Sequence, residues 1–152
     1  MQTTLAAIVA VSLGVTNPFS PVSAGNPDGV AEVMRALGYR AAVDVDEFGD
    51  PMIWSSASGK TFEIYFYGCE ADGGCRDLLF SAGFDMPEPM STDAMNSWNA
   101  AKLIGAAALD DEGDPYLRHM VIGADLMPAK SFERLVVGWD LALGQFSRFI
   151  EY

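Results

Sequence analysis

The chain has 152 residues, half of them hydrophobic, which is enough for one domain with a substantial core and short for two. Its formal net charge of −12 argues against nucleic acid or an anionic membrane surface as a partner, because the sequence offers no basic patch to neutralise phosphates. The same charge permits cationic partners or divalent ions without requiring either.

The N-terminal segment has the pattern of a secretory signal peptide. An apolar run covers residues 5–15 and is too short to span a bilayer, which takes about 20 residues. Val22-Ser23-Ala24 then supplies the small residues expected before a cut at Gly25. We therefore predict a signal peptide over 1–24 and a single domain over 25–152. The mature protein is expected in the periplasm or outside the cell. Lys and Arg are missing from the n-region, and a buried N-terminal helix is the alternative interpretation.

Capping residues and alternation predict one helix followed by four antiparallel strands. Asn26 and Pro27 are typical of a helix start, and Gly38 of its end. Period-two patterning between turn residues then indicates four short strands that form a meander. These strands are predicted over residues 41–46, 52–56, 62–67 and 77–84.

The second half of the chain repeats some of these signals. Ser91 is a candidate N-cap of a second helix, in which Trp98 is expected in the core and Asn99 to cap a backbone edge or bond a neighbouring turn. A second hairpin is predicted over residues 104–109 and 116–122. Apolar residues at helical spacing over 132–150 predict a C-terminal helix that starts near Pro128. The order α-ββββ-α-ββ-α indicates an α+β domain, with flanking helices packed on an antiparallel sheet.

A short motif occurs twice. The stretches DVDEFGDPMI and LDDEGDPYL share Gly-Asp-Pro, and each follows a predicted helix and strand. A helix-then-hairpin unit used twice would explain the motif, and turn chemistry alone would also explain it.

Four stretches carry a family resemblance: LGYRAAVDVDEFGDPMIWSSASGKTFEIYFYGC, CRDLLFSAGFDM, MNSWNAAKLIGAAALDDEGDPYL and the terminal helix over 139–149. They resemble the YbjN-domain proteins of bacteria, and more narrowly the exported proteobacterial branch with a signal peptide and two cysteines. The similarity covers about residues 26–150. It implies a fold similar to type III secretion chaperones and a label of sensory transduction regulator. It brings no agreed activity and no catalytic residues.

Cys69 and Cys75 are the only cysteines in the chain. Export would place them in an oxidising compartment, where such a pair normally forms a disulfide, and the predicted hairpin would bring them together. A structural disulfide is therefore favoured over two alternatives. Zinc needs four ligands and the chain has one histidine, and a redox pair is usually Cys-x-x-Cys.

No catalytic site is predicted. The acidic turns at 44–50 and 110–114 match a calcium loop poorly, so solvated hairpin turns are favoured over weak calcium binding or a glycosidase pair. His119 is expected to be a half-buried or exposed strand residue. Neither a Gly-x-Ser-x-Gly elbow nor a phosphate-binding loop occurs in the sequence. We therefore expect a protein that is not an enzyme and that uses no metal or cofactor.

Aromatic residues mark one face of the predicted sheet. Tyr65 and Tyr67 lie on the strand face opposite Phe62 and Ile64, and Trp54 can join them from the neighbouring strand. If the helices cover one face only, the aromatic face is a binding surface or a dimer interface. The alternative is that both faces are covered within the monomer.

We accordingly predict a binding or chaperone-like module that offers Trp54, Tyr65 and Tyr67 to a polypeptide or to a second copy of the chain. An acidic inhibitor of a cationic envelope enzyme, such as a lysozyme, is the alternative function. Complementary charge would speed the encounter with such an enzyme.

Overall fold

The computed structural model describes residues 20–71 and 74–152, so all but the last five residues of the predicted signal peptide lie outside the described residues. The described part contains a six-strand antiparallel sheet and three α-helices, an α+β fold in the predicted order. The elements are α1 Pro27–Ala36, β1 Arg40–Val45, β2 Pro51–Ala57, β3 Lys60–Tyr67, β4 Asp77–Gly83, α2 Thr92–Ala101, β5 Ala106–Leu109, β6 Pro115–Val121 and α3 Ala129–Phe149. Within these ranges no helix combines the length and the apolar character needed to cross a bilayer.

Helix α1 begins and ends at the predicted residues. The Asn26 side chain accepts a hydrogen bond from the Gly29 N–H at 3.1 Å, which satisfies one of the free donors at the helix start. At the other end, Gly38 follows the C-cap and the Tyr39 N–H donates to the Met34 carbonyl at 3.0 Å. This is the bond of a Schellman closure, and it turns the chain directly into β1.

The three helices pack on one face of the sheet, here called the covered face. Trp139 of α3 lies against Phe62 and Phe80, with ring centroids 5.7 and 5.6 Å apart. Trp98 of α2 joins the same core through Phe146, at a centroid distance of 4.9 Å, as predicted for this residue. Full burial of side chains of this size contributes about 1.5–3 kcal/mol each relative to exposure, so this layer contributes strongly to the free energy of folding.

The sheet carries the same unit at both of its edges. Strand order is β1-β2-β3-β4-β6-β5, so the hairpin β1-β2 lies at one edge and β5-β6 at the other. Each hairpin directly follows a helix that packs on its outer strand. The registers also agree, because Ala42 pairs with Trp54 in the first unit and Ala106 with Arg118 in the second. The helix-then-hairpin unit suggested by the repeated motif is therefore present in the fold.

The two Gly-Asp-Pro turns have the same backbone structure. In the first turn, Asp46 Oδ1 accepts hydrogen bonds from the N–H groups two and four residues later, at 2.9 and 3.0 Å. In the second, Asp110 Oδ1 accepts the equivalent two bonds at 2.9 Å each. Gly49 and Gly113 have φ values of 88° and 85°, a left-handed conformation that glycine adopts without steric cost.

A short segment ahead of α1 is also part of the fold. The Val22 N–H donates to the Met127 carbonyl at 2.7 Å, and the Met127 N–H returns a bond to the Val22 carbonyl at 2.8 Å. The Ala24 N–H donates to the Ala124 carbonyl at 2.7 Å. Val22 and Ala24 are both buried in the core. A mature chain that began at Gly25 would lack these contacts.

Candidate binding groove on the open sheet face

The sheet face opposite the helices, here called the open face, presents aromatic and apolar side chains. In the described part of the chain no helix packs on it, and 46% of Trp54, 48% of Tyr67 and 42% of Met120 are exposed. Tyr65 and Leu79 are half-buried between these residues. Because isolated exposed apolar residues are common but contiguous ones are not, this face is the first candidate for a functional surface.

Strand pairing brings the three predicted residues together. Met52 pairs with Tyr65 across β2 and β3, so Trp54, two residues along β2, lies diagonally across from Tyr65. Tyr67 is the next residue on the same face of β3, since side chains alternate along a strand. All three line a half-open groove of about 500 Å³, with buried Met52 at its base. We call this the aromatic groove.

The first Gly-Asp-Pro turn forms the acidic side of the aromatic groove. Asp46, Glu47 and Asp50 all line it, and Phe48 at the tip of the turn is 83% exposed. Arg118 lines it as well, and its guanidinium lies 4.2 Å from the centroid of the Tyr116 ring. Among the residues that line the groove, three carry carboxylates and only Arg118 carries a positive charge. The Arg118 guanidinium already stacks on the Tyr116 ring. The groove therefore presents a negative field to a partner.

Burial changes the ionisation of two groups on the open face. The pKa of Tyr65 lies above its usual value of 10.0, mainly because of burial and also because of the charge of nearby Glu63. The pKa of Glu63, which pairs with Trp54, is raised by burial, and a hydrogen bond to its own backbone offsets part of this effect. The Tyr65 hydroxyl thus stays protonated at neutral pH and is available as a hydrogen-bond donor.

The disulfide between Cys69 and Cys75 closes the hairpin beside the groove. It joins Cα atoms 3.8 Å apart and confirms the favoured interpretation of the two cysteines. Beyond Tyr67, the Arg76 N–H still donates to the Tyr67 carbonyl at 3.0 Å. Cys75 is buried and Cys69 half-buried. The disulfide therefore has a structural role. It fixes the end of β3, the strand that carries Tyr65 and Tyr67.

The acidic turns do not combine into one site. They close hairpins at opposite edges of the sheet, and Asp46 and Asp110 each use one carboxylate oxygen to bond their own backbone. In residues 20–71 and 74–152, no cluster of three or more His, Cys, Asp or Glu side chains is arranged to hold a metal ion. The first turn is exposed, as expected for a solvated turn. The second is partly buried, because Asp114 accepts a hydrogen bond from the Met86 N–H.

His119 lies where its pattern predicted, half-buried in a strand. It pairs with Phe80 across β4 and β6. Burial lowers its pKa below the usual value of 6.5, so the imidazole is neutral at neutral pH.

At both edges of the sheet, side chains form hydrogen bonds with backbone groups of the edge strand. On β5, the Asn99 amide donates to the Ala107 carbonyl at 2.9 Å and accepts from the Ala107 N–H at 2.8 Å. This confirms that Asn99 caps a backbone edge. On β1, Arg35 donates to the Ala41 carbonyl at 2.8 Å. Such bonds use groups that an added strand would need, so the open face is a better partner surface than either edge.

Sequence reasoning missed Phe48 and Arg118 as groove residues. The signal for Phe48 is that it is an aromatic residue in an otherwise polar turn, which is typical of a contact surface. Arg118 comes from β6, which reaches the groove only because β4 lies between β3 and β6. That strand order has no local signal in the sequence.

The comparisons agree with the resemblance found in the sequence. The model of the YbjN family, with the description "Putative bacterial sensory transduction regulator", matches residues 26–151. None of the curated proteins matches the chain. The match spans nearly all of the described fold, including the aromatic groove.

Proposed function

The chain belongs to the YbjN family, and from this premise we propose that it is an exported binding module, not an enzyme, with a regulatory or chaperone-like role. Its partner is a polypeptide that docks in the aromatic groove through Trp54, Tyr65 and Tyr67. In this proposal, residues 1–24 carry the export signal and the domain over 25–152 acts in the periplasm or outside the cell, as in the exported branch of the family.

The aromatic groove is the observation that carries this function. Trp54 and Tyr67 are each about half exposed, on a sheet face that no described helix covers. Large aromatic side chains are enriched where proteins bind one another, because they bury much area at a low cost in conformational entropy. The chaperone-like part of the proposal draws on the same geometry, in which helices on one face leave the other face of the sheet for a client.

Export is supported by the disulfide. Paired cysteines persist in oxidising compartments and are rare in the cytosol, where thiols are kept reduced. The Cys69–Cys75 bond therefore favours a periplasmic or secreted protein.

The test is capture of partners from periplasmic extract by the immobilised protein and by two double variants. Trp54→Ser with Tyr67→Ser removes two exposed rings from the aromatic groove. Val137→Ser with Leu141→Ser removes two similarly exposed apolar side chains from α3 and is the matched control. We expect a polypeptide that the wild type and the control retain and the groove variant loses. Equal retention by all three proteins, or no retained polypeptide, would contradict the proposal.

Light scattering after size-exclusion chromatography shows whether the groove binds a different polypeptide or a second copy of the chain. If the groove holds a second copy of the chain, the wild type runs as a dimer and the groove variant as a monomer. A monomeric wild type that retains a partner through the groove supports the proposed function.

Inhibition of a cationic envelope enzyme, such as a lysozyme, is the second candidate function. The net charge of −12 and the carboxylates of Asp46, Glu47 and Asp50 on the aromatic groove favour it. Charge complementarity would make such inhibition strong at low salt and weak at high salt. A lysozyme activity assay at both salt concentrations tests it, and full enzyme activity at low salt would exclude it for that enzyme.

A further inference from the structure

The second Gly-Asp-Pro turn shows how this chain binds an extended segment. Residues 86–90, with the sequence MPEPM, run across that turn. The Met86 N–H donates to Asp114 Oδ1 at 2.9 Å, and the Met90 N–H donates to the Gly113 carbonyl at 3.0 Å. Pro89 packs on the turn so closely that a Cβ atom placed on Gly113 would lie 2.7 Å from the Pro89 Cβ.

The first turn presents the same acceptors, and no segment of the described part of the chain runs across it. Asp50 and Gly49 occupy the positions of Asp114 and Gly113, and the two turns share their internal hydrogen bonds. Among residues 20–71 and 74–152, none donates a hydrogen bond to the Asp50 carboxylate or to the Gly49 carbonyl. Phe48, next to them, is exposed to solvent. The backbone that carries this carboxylate and this carbonyl thus has the conformation with which the chain itself binds backbone N–H groups at the second turn.

The carboxylates and aromatic rings of the groove indicate which kind of segment could bind there. The first turn borders the aromatic groove, where Glu47 and Asp50 lie beside Trp54 and Tyr67. A Lys or Arg side chain placed there can stack on an exposed ring and pair with a carboxylate. An acidic segment would instead meet like charge on a chain of net charge −12.

We propose that the aromatic groove binds an extended basic segment of a partner polypeptide, and that the first Gly-Asp-Pro turn is its backbone anchor. Backbone N–H groups of the segment donate to the Asp50 carboxylate and the Gly49 carbonyl, as residues 86–90 do at the second turn. A Lys or Arg side chain of the segment lies on the exposed Trp54 ring. This inference rests on the proposed function, because it names the partner class of the same groove.

Two labelled peptides test the inference directly. One spans residues 84–91 of this chain, and the other is the same peptide with Glu88→Lys. Fluorescence anisotropy measures their dissociation constants on the folded, oxidised protein at low and high salt. We expect the Lys peptide to bind at least about fivefold more tightly than the Glu peptide at low salt, and to lose most of that advantage at high salt.

Variants of the protein distinguish a specific contribution of the first turn to binding from the general effect of the net negative charge. Asp50→Asn is expected to weaken binding of the Lys peptide by about fivefold, and Trp54→Ala by about tenfold. Asp111→Asn removes one charge from the equivalent, distant turn and is the matched control, expected to change binding by less than about twofold. Circular dichroism confirms that each variant is folded.

Three outcomes would overturn the inference: equal binding of the two peptides at low salt, equal loss in Asp50→Asn and Asp111→Asn, or no binding of either peptide at millimolar concentration. The proposed function would survive any of these if the groove still captured a periplasmic polypeptide. It would fall with the capture experiment instead, so the two failures are distinguishable.

Discussion

The Tyr39 hydroxyl, between α1 and β1, donates a hydrogen bond to Asp140 Oδ2 in the middle of α3, at 3.1 Å. Ser58, in the turn between β2 and β3, donates to the other oxygen of the same carboxylate at 2.6 Å. Asp140 therefore ties the long helix to two loops of the half-sheet that forms the aromatic groove. Hydrogen bonds to a charged group are stronger than neutral ones, so this contact fixes α3 against the connection between α1 and β1 and against the turn between β2 and β3.

Replacement of Asp140 is expected to destabilise the fold. Asp140→Ala removes the acceptor of both hydrogen bonds, and we expect the free energy of unfolding to fall by about 2–3 kcal/mol. Urea denaturation followed by tryptophan fluorescence measures the change. Asp125→Ala, at an exposed carboxylate, is the control and should alter stability by less than about 0.5 kcal/mol. Equal effects of the two substitutions would contradict the role of Asp140.

Tyr39 should make stability depend on alkaline pH. Burial raises its pKa above 10.0, and the hydrogen bond and charge of Asp140 add to the effect. The folded protein therefore holds the Tyr39 proton more tightly than the unfolded chain does. This contribution is complete below pH 10.0 and is lost as the pH rises through the raised pKa. Thermal unfolding from pH 9 to 11 should show a decline that Tyr39→Phe makes less steep.

Glu63 is expected to oppose folding at neutral pH. Burial raises its pKa above 4.5, so its ionised form is disfavoured in the folded state, and stability falls as the pH rises through the raised pKa. Glu63→Gln should therefore increase the melting temperature at pH 7 and leave it nearly unchanged at pH 4, where the carboxyl is largely protonated in both states. A stabilisation of the same size at both pH values would show that ionisation is not the cause.

Removal of the disulfide should cost about 2 kcal/mol of stability. The Cys69–Cys75 bond closes a short loop, and the loop-entropy estimate for this length is about 2.4 kcal/mol. Cys69→Ser with Cys75→Ser should lower the free energy of unfolding by this amount, as measured by urea denaturation. Reduction of the wild-type protein provides the comparison, and no further loss on reduction is expected in the double variant.

Residues 22–24 should stabilise the domain. A chain that starts at Gly25 loses the buried Val22 side chain and its two backbone hydrogen bonds to Met127. We expect it to be less stable than a chain that starts at Ser20 by about 2–3 kcal/mol. Thermal denaturation of the two forms measures the difference. Mass spectrometry of the exported protein would then show which start the cell produces.

Much of the fold was predictable because its signals are local. Asn26 and Ser91 cap helices through their own side chains, and alternation along β3 assigns Tyr65 and Tyr67 to one face. These inferences depend on residues within about one turn or one hairpin of each other, where spacing and chemistry suffice. The disulfide was predicted from the hairpin that brings Cys69 and Cys75 together and from the export signal, which indicates an oxidising compartment.

The aromatic groove depends on contacts that no local pattern encodes. β4 pairs with β6 across a helix and a further strand, and this places Arg118 opposite Ser81 and beside the groove. The same strand order separates the two Gly-Asp-Pro turns, so that residues 86–90 cover the second turn while Phe48 on the first stays exposed. The same turn structure thus gives one turn that is an internal structural contact and one that borders the aromatic groove. Burial is a property of the packed chain, and long-range strand pairing assigned a different role to each turn.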